Sequence, residues 1–114
     1  MQIQKIAFGK LVLDGRTFTS DLVIFPDGEV LDGWRRQRGH RLSMEDISGL
    51  VKAGPDVIVA GTGAFGRLTP DPDLEERLLQ SGILFLPARN KKAADLFNQR
   101  ISAERVGACF HLTC

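Results

Sequence analysis

The stretch Val57-Ile58-Val59-Ala60-Gly61-Thr62-Gly63 limits the possible folds more than any other part of the chain, because an apolar, largely β-branched run leads straight into a glycine loop. Without polar alternation, the run reads as a strand covered on both faces, in the middle of a layered sheet. Gly61 and Gly63 then open a tight turn around Thr62. Strand followed by Gly-x-Gly resembles the start of a phosphate-binding loop, but no Gly-Lys-Ser/Thr follows, and Pro70 and Pro72 prevent an immediate regular helix. The simpler reading is steric: a buried strand needs glycine to leave the sheet sharply.

The flanking patterns place this strand in an α/β order. Asp14-Gly15 suits a two-residue turn with positive φ angles and predicts a hairpin of residues 10–13 with 16–19. Residues 21–25 and 29–34, separated by Pro26-Asp27-Gly28, predict a second antiparallel pair. Ser43, with Asp46 three residues on, caps a helix over 44–53 whose inner face holds Met44, Ile47, Leu50 and Val51. A helix over 73–80 packs Leu74, Leu78 and Leu79, and the apolar run 83–86 reads as a buried strand. Asn90 caps a third helix over 91–101 with Ala93, Phe97 and Ile101 on its apolar face, and a last strand spans 106–112. Alternating helix and strand favours parallel neighbours with right-handed crossovers. The expected fold is therefore a single three-layer α/β domain over residues 1–114, with a mixed central sheet, an added N-terminal β-hairpin unit and about three helices.

Composition narrows the function classes. With 15 basic and 14 acidic residues, the net charge of +1 offers no global attraction to nucleic acid or anionic lipid. Two cysteines cannot form a disulfide framework, the N-terminus lacks a signal-peptide core, and no run approaches a membrane span. Cys114 lacks the three following residues that prenylation needs. The expectation is a cytoplasmic protein, monomeric or weakly dimeric, that binds neither nucleic acid nor membrane.

The one concentrated basic patch is Trp34-Arg35-Arg36-Gln37-Arg38-Gly39-His40-Arg41. Arginine forks bind carboxylate or phosphate bidentately and Trp34 can stack on a guanidinium, whereas a solvated loop with internal ion pairs is the plainer reading. His40 and His111 are the groups that titrate near neutral pH, and His111 reads as a buried structural histidine in the last strand. Cys109, His111 and Cys114 suggest a metal cluster, but Cys114 stands five residues from Cys109 and three from His111, odd spacings that send it to the opposite face of a regular strand. No metal, cofactor or catalytic constellation is expected. A thiolate at Cys114 would have its pKa raised by an adjacent terminal carboxylate.

Phe8-Gly9, Asp14-Gly15, Asp21, Ile24, Trp34, Arg36, Gly39, His40, Gly61-Thr62-Gly63, Ala93, Asn98 and His111-Leu112-Thr113-Cys114 form an ordered set over essentially the whole chain. The set resembles a family of small archaeal, bacterial and eukaryotic domains of unknown function. That family includes an adipogenesis-associated protein and a mitochondrial assembly factor of respiratory complex I. The resemblance implies the three-layer fold above, no established enzymatic activity, and roles in assembly or protein interaction for the better-known eukaryotic members. One position departs from the family pattern: Asn90 stands where a threonine caps the third helix.

Two functions follow as expectations. The first is a non-enzymatic domain acting through an as yet unknown protein partner or complex assembly. The alternative is a small-molecule or anion-binding protein, or an enzyme, with a pocket at the end of the central strand lined by Gly61, Thr62, Gly63, Trp34, Arg36 and His40.

Overall fold

In the computed structural model, which describes residues 1–113, three antiparallel strands come first: β1 (Ile3–Ala7), β2 (Lys10–Leu13) and β3 (Arg16–Phe18). Asp14 and Gly15 both take positive φ, +49° and +80°, as a two-residue hairpin turn requires. A second hairpin pairs β4 (Leu22–Ile24) with β5 (Val30–Asp32). The short parallel pair β6 (Arg41–Leu42) and β8 (Thr69–Pro70) flanks α1 (Ser48–Lys52) and β7 (Val57–Gly61) in the chain. The remaining elements are α2 (Leu74–Gln80), β9 (Leu84–Ala88), α3 (Asn90–Arg100) and β10 (Val106–Phe110).

The main sheet has the order β5-β4-β10-β7-β9 and is mixed: β7 runs parallel to both β10 and β9, while β4 and β5 are antiparallel additions. Every residue of β7 and β10 is buried, as the unalternating apolar runs require. Their side chains divide between two cores. Val57, Val59, Val106, Ala108 and Phe110 join Leu11, Phe18, Ala93 and Phe97 under β1–β3 and α3. Ile58, Ala60 and Cys109 face the other way, onto Trp34, Leu42, Leu50, Leu68 and Leu74. The sheet is thus the middle of three layers.

Several expected boundaries move. The helix expected over 44–53 divides into a 3-10 turn, Glu45–Ile47, and the five-residue α1. Ser43 and Asp46 do form the reciprocal capping box, at 2.9 and 3.3 Å. The indole Nε1 of Trp34 donates to the Asp46 carbonyl at 3.0 Å, the group a continuous helix would offer to the Leu50 amide. Ile47 lies outside the helical region at φ −118° and ψ 21°. In α2, Leu74 and Leu78 are buried but Leu79 points outward. The last strand ends at Phe110, two residues early. Asn90 is the first residue of α3 and not its cap; Arg89 precedes the helix and makes no side-chain capping bond.

Candidate functional site

At its end β7 meets β10 and α3 so closely that only glycine fits. A Cβ on Gly61 would lie 2.2 Å from Phe110 Cδ1 and 2.6 Å from Asn90 Oδ1. Gly61 is therefore required by close approach, not by a turn angle, whereas Gly63 does take a positive φ of +107°. Gly61, Gly63 and Gly66 carry the full Gly-x-Gly-x-x-Gly spacing, so spacing alone does not set this loop apart from a dinucleotide fingerprint. What sets it apart is the context: no helix begins at the loop, and α2 starts only at Leu74.

The loop amides are engaged internally. Thr62 donates its amide and its hydroxyl to Ala88 O, at 2.9 and 3.1 Å. The Gly63 amide donates to Asn90 Oδ1 at 3.0 Å, and Asn90 Nδ2 donates to His111 O at 2.8 Å. The His111 amide in turn donates to Gly61 O at 3.0 Å. Asn90 is buried and ties three chain segments together, a role hidden in the sequence because asparagine at that place reads equally well as a cap.

A buried charge cluster adjoins this knot. Asp21, between β3 and β4, accepts the Leu112 amide on Oδ1 at 2.8 Å and meets His111 Nδ1 with Oδ2 at 2.8 Å. Arg36 Nη1 lies 2.8 Å from the same Oδ2, an ion pair off the hydrogen-bond axis. Its Nε donates to Gly39 O at 2.9 Å, and its guanidinium carbon sits 4.8 Å from the centre of the Trp34 ring. Burial acts to raise the pKa of Asp21, but the Leu112 amide, then His111 and Arg36, outweigh it and hold the carboxyl below its ordinary value. An ionised Asp21 can only accept, so His111 Nδ1 carries the proton and its 3.3 Å approach to Arg36 Nη2 is a donor–donor contact. His111 Nε2 is buried with no hydrogen-bond partner among the described residues. The His40 ring stands edge-on to the His111 ring, with centroids 5.7 Å apart.

The predicted site residues are thus partly assembled. Arg36 contacts Trp34 and, with His40, packs on His111; Trp34 and Arg36 share an open depression of about 400 Å³ with Asp21 and Thr113. Gly61, Thr62 and Gly63 are buried and connect to this cluster through His111 and Asn90. Of the four arginines in the basic patch, Arg36 is paired with Asp21 and Arg41 with Asp71 at 2.7 Å. Asp21 and Asn90 are contributors that the site prediction lacked. Cys109 is fully buried, and burial pushes its thiol up to about 12 despite the opposing pull of Arg36. Cys114, with the metal and thiolate readings attached to it, lies outside the described residues. No helix of the described residues is long and apolar enough to cross a membrane.

A second surface feature was not expected. Phe8 and Phe65 are exposed, at 62% and 61%, yet their rings meet with centroids 6.4 Å apart. Beside them is a depression of about 320 Å³ lined by Ile6, Ala7, Phe8, Ala64, Arg89 and Lys91, together with Asn90. Alternation in the first strand gives no warning of this, since it assigns faces and not neighbours.

Residues 3–111 match a family described as "Protein of unknown function (DUF498/DUF598)". Among solved structures, the conserved hypothetical protein PH1505 from Pyrococcus horikoshii OT3 is 26% identical, with complete coverage of both chains and a TM-score of 0.88. The MT938 structure is 25% identical over 99% of this chain and 98% of its own, with a TM-score of 0.84. XCC1710 from Xanthomonas campestris, at 20% identity, shares the fold with a TM-score of 0.77 over 96% of this chain and 83% of its own.

Proposed function

We propose, from the premise that this chain belongs to the DUF498/DUF598 family of unknown function, that it is a cytoplasmic domain acting by binding another protein in the assembly of a larger complex. The observation that carries this reading is the contact between Phe8 and Phe65, two exposed rings packed on each other beside an apolar cleft. Contiguous apolar surface with a polar rim marks association sites, and aromatic anchors supply much of the energy at such sites. The resemblance to eukaryotic domains with assembly roles supports the same reading. Affinity capture from native lysate with the wild-type chain and with Phe8→Ser/Phe65→Ser provides the test. The wild type retains a specific protein and the double variant, with a similar thermal midpoint, loses it. Recovery of no specific partner under conditions that preserve complexes counts heavily against the proposal.

The alternative, a small-molecule or anion site around Gly61, Thr62, Gly63, Trp34, Arg36 and His40, is supported by the buried Nε2 of His111, which has no hydrogen-bond partner among the described residues and lies beside Arg36 and His40. Native mass spectrometry showing a copurified ligand that is lost in His111→Phe favours this reading. A wild-type mass equal to that of the bare polypeptide, or a ligand kept by both proteins, weighs against it.

A further inference from the structure

We propose that the cleft beside Phe8 receives an acidic protein segment carrying an apolar or aromatic side chain, an inference that rests on the protein-binding reading above. It is lined by the apolar side chains of Ile6, Ala7, Phe8 and Ala64 together with the exposed cations Arg89 and Lys91 and the buried Asn90. The volume, about 320 Å³, is at the small end of the range for ligand sites and suits one or two side chains.

Charge selects the occupant. The segments that supply its lining, residues 5–10, 64–67 and 89–92, contain Lys5, Lys10, Arg67, Arg89, Lys91 and Lys92 and no Asp or Glu. The whole chain balances 15 basic residues against 14 acidic ones, so the charge here is a local excess. None of the six cations forms an ion pair within the described residues. Asp95, the first carboxylate beyond them, lines a neighbouring depression with Lys5 and Lys91. Gly66, at φ +70°, lets the Arg89 stem lie across the loop: a Cβ there would meet Arg89 Nε at 3.2 Å and Cγ at 3.3 Å. The result is a largely apolar slot flanked by Arg89 and Lys91, neither of them in an ion pair among the described residues, complementary to an apolar side chain flanked by carboxylates.

The ring geometry favours a peptide over single-stranded nucleic acid. Base stacking uses open ring faces, whereas Phe8 and Phe65 lean on each other at 52° beside a slot with aliphatic walls.

Three probes separate the possible sources of negative charge: a synthetic peptide of Asp and Glu flanking one Phe-Leu pair, oligo(U) RNA, and vesicles containing phosphatidylserine. The ¹⁵N-labelled protein is titrated with each at low ionic strength. The acidic peptide is expected to shift amides within residues 7–10, 64–67 and 89–92. Both Phe8→Ser/Phe65→Ser and Arg89→Glu/Lys91→Glu should weaken it about tenfold or more. Added salt should weaken the wild type more than the charge-reversed variant. Absence of shifts at these residues, equal binding of a peptide with lysine flanks, or tighter binding of RNA or vesicles overturns the inference. If the partner captured from lysate is lost by the phenylalanine variant but kept by Arg89→Glu/Lys91→Glu, the acidic segment is rejected while the protein-binding reading stands. If neither variant affects capture, both fall.

Discussion

Arg36 holds its charge at a side-chain exposure of 6%, where a cation without partners would be strongly unfavourable. Its ion pair with Asp21, its bond to Gly39 O and its stacking on Trp34 together fix the turn that carries residues 34–42 across the end of the sheet. Arg36→Ala would leave Asp21 half-buried beside His111 without its cation and should destabilise the fold by about 3 kcal/mol in urea unfolding. Arg36→Lys should recover only part of that, because an ammonium cannot reproduce the planar fork. Asp21 also makes stability depend on pH. Its folded pKa lies below the ordinary carboxylate value, so its contribution is complete above the unfolded pKa and is lost as pH falls through the folded one. The urea midpoint of the wild type should therefore drop as the pH is lowered below about 4. In Asp21→Asn, already destabilised at neutral pH, the dependence in that window should be shallower. An equal slope in the two proteins would assign the acid sensitivity to other carboxylates.

The two central strands each contain a glycine for which there is no spare room. A Cβ on Gly107 would meet Leu50 Cδ1 at 2.4 Å, the movable end of a side chain, whereas one on Gly61 would strike the Phe110 ring and the bonded Asn90 amide. Gly61→Ala should thus destabilise by about 3 kcal/mol and Gly107→Ala by less, the order of the two being read from denaturant midpoints. The strands themselves were legible, since Val57-Ile58-Val59-Ala60 shows its two-sided burial in its composition. So was the first hairpin, through Asp14-Gly15. The break in the helix at Ile47 was not, because the Asp46 carbonyl before it is taken by the indole of Trp34, twelve residues from Asp46. Asp21 and His111 are separated by ninety residues, and a polar contact of that range leaves no local pattern to find. The exposed contact of Phe8 with Phe65 escapes periodicity for the same reason, since each residue is unremarkable within its own segment.

Across the whole molecule, one sheet carries an apolar layer on each face, and β7 and β10 supply side chains to both. Either layer exposed alone would leave half of those residues in water, so the cores are coupled through shared strands. The order of those strands adds a condition of its own. β10, the last strand of the described residues, occupies the central place between β4 and β7. During synthesis, β4 and β5 therefore emerge from the ribosome with no strand to join them to β7, and the delay lasts until residues 106–110 have cleared the exit tunnel. A chain stopped after residue 105 should be digested rapidly by protease, and one carried through residue 113 should resist. Until residues 106–110 arrive, the inner edges of β4 and β7 have no partner, and the apolar side chains on both faces of the half-built sheet lack the strand that joins the two cores.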